Sequence, residues 1–119
     1  MNTEIINNFI QYYVSNFNDK NNTSNFINLW KNYSVLNYMN KDHNESELLN
    51  ILNYLSSNYI IDINNIKASF QINGERRANI LLNYKMGNSN EVVSISQYIQ
   101  LAYSNQKEFW IHSSLINSL

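Results

Sequence analysis

The stretch Ile66-Lys67-Ala68-Ser69-Phe70-Gln71-Ile72-Asn73-Gly74-Glu75-Arg76-Arg77-Ala78-Asn79-Ile80-Leu81-Leu82-Asn83-Tyr84 decides the fold class. Ile66, Ala68, Phe70 and Ile72 alternate with Lys67, Ser69 and Gln71, which is the period of a strand with one face on a core. Asn73-Gly74 is the strongest hairpin signal in the chain, and Ala78, Ile80, Leu82 and Tyr84 form the return strand. Gly87-Asn88-Ser89-Asn90 supplies a second turn, after which Val93, Ile95, Ile99, Leu101 and Tyr103 line one face of a long strand. A third turn at Asn105-Gln106-Lys107 leads to Phe109, Ile111 and Leu115.

Upstream of this meander the period lengthens. Ile6, Phe9, Ile10, Tyr13 and Phe17 recur at spacings of three and four, predicting a helix over 3–17 with Thr3 as its N-cap. Thr23 or Ser24 is expected to cap a second helix carrying Phe26, Leu29, Trp30 and Tyr33. A short strand over 34–38 and a polar loop over 40–44 follow. A third helix buries Leu48, Ile51, Leu52 and Leu55. Helices first and an antiparallel meander second is an α+β layout, and no linker or repeat divides residues 1–119 into more than one domain.

Composition narrows the function. The chain has 119 residues, a net charge of -1 and no cysteine, which excludes disulfides, thiolate nucleophiles and cysteine-based zinc sites. His43 and His112 are far apart and fit no metal-ligand spacing, so no metal and no cofactor is expected. The charge balance lacks the basic patch of a nucleic-acid binder, and Arg76-Arg77 reads as a solvated hairpin edge. No apolar run approaches bilayer length and the N-terminus has no basic, cleavable leader, so a soluble intracellular protein without membrane contact is expected. Asparagine makes up about a fifth of the chain but is interleaved with periodic apolar residues, the mark of an A- and T-rich genome and not of a disordered tract. The sequons at Asn21, Asn22, Asn32 and Asn44 follow from the same excess.

The element order, together with Phe9-Ile10-Gln11-Tyr12-Tyr13, Leu29-Trp30-Lys31-Asn32-Tyr33-Ser34-Val35-Leu36, Ser96-Gln97-Tyr98-Ile99-Gln100-Leu101 and Phe109-Trp110-Ile111-His112-Ser113-Ser114, resembles the nuclear transport factor 2 (NTF2-like) family over nearly the whole chain. The resemblance implies a cone of three N-terminal helices packed on a curved antiparallel sheet. Family members carry the GTPase Ran in its GDP form and touch phenylalanine-glycine nucleoporins, or pair as small subunits with the related domain of an mRNA export receptor. A third group uses the cone interior as an active site.

Ran carriers place acids where Met39, Asn88 and Asn90 stand here, and an Asn-Asp where Ser113-Ser114 stands. The missing charges put Ran carriage second to a non-enzymatic subunit of nucleocytoplasmic transport, expected in nucleus, cytoplasm and nuclear envelope. Its partner is expected to be the NTF2-like domain of an mRNA export receptor, or a second copy as a homodimer.

An enzyme of this fold is the distant alternative. Asp42 and His43 read as solvated loop residues, Asp62 and His112 belong to no acid-base constellation, and Tyr12-Tyr13 reads as core packing with hydroxyls near the rim. The sheet face away from the helices is expected to carry Lys67, Ser69, Gln71, Asn79, Leu81, Asn83, Ser94, Ser96, Tyr98, Gln100, His112 and Ser114. Leu81, Ser96, Tyr98, Gln100 and His112 are its expected partner contacts.

Overall fold

The computed structural model describes residues 1–104 and 108–119; the turn expected at Asn105-Gln106-Lys107 lies outside the described residues. Helix α1 spans Thr3–Asn18 and is capped one residue earlier than expected, because the Asn2 side chain accepts from Ile5 N at 3.0 Å. Its stripe of Ile6, Phe9, Tyr13 and Phe17 is buried, as the spacing requires. Ile10 is only partly covered.

The second helix is shorter than its apolar spacing suggests. Helix α2 is the single turn Ser24–Ile27, and strand β1 runs Trp30–Tyr38. Leu29, Trp30 and Tyr33 are therefore not helical. Aromatic and β-branched residues at 30, 33, 35 and 38 suit an extended chain, and pairing on both sides of β1 holds it extended. Trp30, Ser34 and Leu36 turn inward, with Ser34 Oγ accepting from Lys31 N at 2.8 Å and donating to Ile111 O at 2.7 Å.

The loop expected over 40–44 is strand β2 (Lys41–Asn44), joined to β1 by a two-residue turn in which Met39 and Asn40 both have positive φ (51° and 70°). That is the backbone of a tight hairpin turn.

Helix α3 (Glu45–Asn58) buries Leu48, Leu52 and Leu55. Lys20 joins the C-terminal ends of the two long helices: its ammonium donates to Phe17 O at 3.2 Å and to Ser56 O and Tyr59 O. Strand β3 (Ile60–Ile61) follows.

The hairpin at Asn73-Gly74 forms as read, with β4 (Lys67–Ile72) paired to β5 (Arg77–Gly87), Gly74 at φ 82° and Asn73 N donating to Arg77 O at 2.8 Å. All of β4 is exposed, however, so the alternation of Ala68, Phe70 and Ile72 is not covered by a helix. Strands β6 (Val92–Tyr103) and β7 (Phe109–Ser118) complete a curved sheet in the order β2-β1-β7-β6-β5-β3, with β4 also on β5.

Two features of the sheet differ from an antiparallel meander with strict alternation. Strand β1 pairs with β7 in parallel, closing the first strand onto the last. Strand β7 also carries a bulge at His112: Leu101 faces Ile111 while Gln100 faces Ser113. The extra residue reverses the parity of everything after it. Ser114 consequently turns into the core (5% exposed) and Leu115 turns out of it (39%), the opposite of the simple alternation.

Candidate protein-binding face

The helices cover one side of the sheet and leave the other open. Across the open side runs a row set by strand register, Ser69, Leu81, Tyr98, Leu115 and Asn37, one residue from each of β4, β5, β6, β7 and β1. Leu81 and Leu115 flank Tyr98 and are both exposed, so three large side chains stand side by side near the centre of the face. Val35, Gln100 and Ser113 lie in the next row, where Ser113 Oγ donates to Gln100 Oε1 at 2.5 Å. Ser96 lies beyond Tyr98 on the other side, opposite Asn83 and Asn117. A shallow depression of about 290 Å³ bounded by Ser69, Phe70, Gln71, Asn79, Leu81 and Tyr98 opens beside the central row.

The structure thus brings Leu81, Ser96, Tyr98 and Gln100 onto one face. His112 occupies the bulge at its margin, its ring 6.0 Å from that of Tyr33. Ser114 leaves the set. Leu115 joins it because of the bulge, which has no signature in a single sequence, and Val35 joins it through the parallel pairing of β1 with β7.

Inside the cone, where an enzyme of this layout would work, Gln97 is fully buried on the face between Ile95 and Ile99. Its Oε1 accepts from Tyr84 Oη at 2.7 Å and Tyr13 Oη at 3.3 Å, and its Nε2 donates to Tyr13 Oη at 2.9 Å and Ser114 Oγ at 3.0 Å. Ser114 passes the chain on to Tyr98 O at 2.9 Å. Burial pushes the Tyr13 and Tyr84 hydroxyls well above the usual tyrosine range, so both stay protonated donors at neutral pH. Tyr13 is therefore deep in the core and not at the rim, whereas Tyr12 is exposed. The polar break at Gln97 within an apolar alternation is the one sequence signal that marked this cluster.

The remaining candidates lie elsewhere. Asp42 accepts from Asn37 Nδ2 at 2.8 Å, and His43 pairs with Glu47 at 3.0 Å, both at the β2 edge. Asp62 accepts from Asn64 N and Asn65 Nδ2 in the loop after β3, and the bond from Asn65 leads in holding its carboxyl below the usual range. Among the described residues no group of three His, Cys, Asp or Glu could hold a metal ion, and no helix is long and apolar enough to cross a membrane.

Met39 sits in the β1–β2 turn and Asn88 and Asn90 in the β5–β6 turn, where Asn88 Oδ1 accepts from Asn90 N at 2.8 Å and Glu91 N at 3.0 Å. The two turns share one end of the molecule. Burial first, then Tyr54 and Glu91, raise the Tyr38 hydroxyl, and Tyr59 Oη donates to the Glu91 carboxylate. An acid does stand at this end, one residue after Asn90.

No protein-family model matches the chain, and no curated protein sequence matches it. Solved structures do. An NTF-2 like protein of unknown function from Pseudomonas aeruginosa superposes with a TM-score of 0.81 at 7% identity, covering 97% of this chain and 98% of that one. The yeast UBP3-associated protein BRE5 gives 0.74 at 17% identity, covering 97% and 94%. Nuclear transport factor 2 from Cryptosporidium parvum gives 0.71 at 18% identity, covering 98% and 93%. The chain has the NTF2-like fold.

Proposed function

We propose that this chain is a non-enzymatic protein-binding subunit that pairs through its open sheet face with a second NTF2-like domain. The observation that carries the reading is the row Leu81, Tyr98 and Leu115, a half-buried tyrosine between two exposed leucines at the centre of a face whose surrounding positions are mostly polar. A central anchor group ringed by polar residues is the anatomy of a protein interface. The association named for the yeast structure supports a protein partner. The sequence resemblance supports nucleocytoplasmic transport as the setting, across nucleus, cytoplasm and nuclear envelope. It also supports the NTF2-like domain of an mRNA export receptor as the partner, ahead of a second copy of the chain. The Gln97 cluster supports the non-enzymatic part, since its members are two tyrosine hydroxyls, an amide and a serine hydroxyl bonded to one another, with no carboxylate or imidazole among them.

The test is sedimentation of the wild type, Tyr98→Ala, Leu81→Asp and Leu115→Asp, alone and with an export receptor's NTF2-like domain. Losing the central tyrosine is expected to weaken association by about 2 kcal/mol or more, and either aspartate to abolish it by placing an unpaired carboxylate in the interface. Unchanged association in all three folded variants would assign pairing to another surface.

A further inference from the structure

The edge of the sheet at β4 is open in a way that the face is not. Among the described residues β4 pairs only with β5, and its six residues are exposed on both faces. Exposed edges of this length are normally protected by proline, a bulge, charge or a covering segment. β4 has no proline and no bulge, and its single charge, Lys67, stands at its start.

Its hydrogen-bonding groups can be assigned. Asn73 N donates to Arg77 O, so the pair at 73 and 77 is hydrogen-bonded. Antiparallel pairs alternate between bonded and non-bonded, which makes 71 with 79, 69 with 81 and 67 with 83 the bonded pairs. Ala68, Phe70 and Ile72 therefore point their N–H and C=O groups away from β5, into the open edge. The same three residues lie opposite the buried Leu82, Ile80 and Ala78, so their side chains are on the helix side of the sheet. There Phe70 and Ile72 are 38% and 37% exposed. An apolar groove of about 300 Å³ lined by Ile10, Val14, Ile63 and Ile66 runs between α1 and the segment leading into β4.

We infer that this edge is a second docking site, which accepts an extended peptide segment from a partner protein as an added strand. Backbone groups of Ala68, Phe70 and Ile72 supply the ladder, and alternate apolar side chains of the peptide pack beside Phe70 and Ile72 and toward the α1 groove. Lys67 at one end and Arg77 at the other have no ion-pair partner among the described residues. They favour acidic residues flanking the apolar core of the peptide. This site is separate from the open face, so either can fail without the other.

The probe is the peptide acetyl-Glu-Asp-Ile-Thr-Val-Ser-Phe-Asp-Glu-amide with variants exchanging Ile, Val and Phe, followed by amide hydrogen exchange in NMR spectra. Binding is expected to slow exchange at Ala68, Phe70 and Ile72 by about tenfold or more while leaving Lys67, Ser69 and Gln71, already bonded to β5, unchanged. Phe70→Pro removes one outward donor without touching the β4–β5 ladder and is expected to lower affinity about tenfold. Methylating one backbone nitrogen of the peptide, at Thr or at Val, is expected to abolish binding at one position and spare the other, whatever Phe70→Pro does to folding. Three results would overturn the proposal: no protection by any peptide at about 1 mM, equal protection of odd and even residues, or protection without peptide that rises with protein concentration, which would make a second copy the occupant.

Discussion

At the scale of single residues, Gln97 shows how one polar side chain organises a core. Its amide has a partner on each side, which is why a residue with no place in an apolar stripe is fully buried. The tyrosines it holds carry a pH consequence. Both Tyr13 and Tyr84 have folded pKa values above the unfolded value of about 10, so the folded state keeps protons that the unfolded chain releases. Their contribution is fully present below about pH 10 and falls above it, by roughly 1.4 kcal/mol per pH unit for each. Urea unfolding between pH 8 and 11 is expected to show this alkaline loss, with a shallower slope in Tyr13→Phe and in Tyr84→Phe. Equal slopes in all three proteins would mean that the hydroxyls titrate normally. The apolar members of this core were legible from spacing alone; the cluster was not, because a hydrogen-bonded polar group inside a core looks in sequence like a break in the pattern.

At the scale of elements, the long helices and strands β5 and β6 match their periodicities, and the misreadings at β1 and β7 share a cause. Leu29, Trp30 and Tyr33 have helical spacing but are drawn into β1 and the residue before it by pairing with β7, whose partners lie some 80 positions away. Local spacing contains no information about such a partner. The His112 bulge likewise depends on fitting β7 against β6 and β1 together. Helix ends offer a sharper test. Lys20 satisfies carbonyls at the ends of both long helices and lies 5.0 Å from the centre of the Phe17 ring, while partial burial lowers its pKa. Lys20→Met keeps the stem but removes the donor. A loss of about 1–3 kcal/mol in urea unfolding is expected, with Lys20→Arg less affected. Stability of the methionine variant within about 0.5 kcal/mol of wild type would show that water serves those carbonyls equally well.

At the scale of the whole molecule, the open sheet face lies on one side and the two turns with Met39, Asn88 and Asn90 lie at one end. The α+β class and the placement of Leu81, Ser96, Tyr98 and Gln100 on one face are legible in the sequence; the order of strands is not, because the pairing of β1 with β7 joins segments far apart in the chain. The turn end separates the two transport readings. Binding of Ran-GDP by the unmodified chain is expected to be weak or absent, and Met39→Glu with Asn88→Asp and Asn90→Asp should strengthen it, each charge-assisted bond contributing about 1.5–3 kcal/mol. Asp at 88 keeps the acceptor that Asn88 Oδ1 offers to Asn90 N and Glu91 N, so the turn should survive the change. Calorimetry that finds tight binding by the unmodified chain would favour the carrier reading.

The parallel contact between β1 and β7 also sets a timetable for synthesis. Trp30 pairs with Ile111 and Tyr38 with Ile116, so β1 must wait for some 80 further residues to leave the ribosome before its inner neighbour exists. The β4–β5–β6 meander needs only near neighbours and can form while the chain is still growing. Until β7 arrives, the nascent protein carries a β1–β2 hairpin with one open side and an uncovered sheet edge at β6, and it is in that interval that a chaperone would find the most to hold.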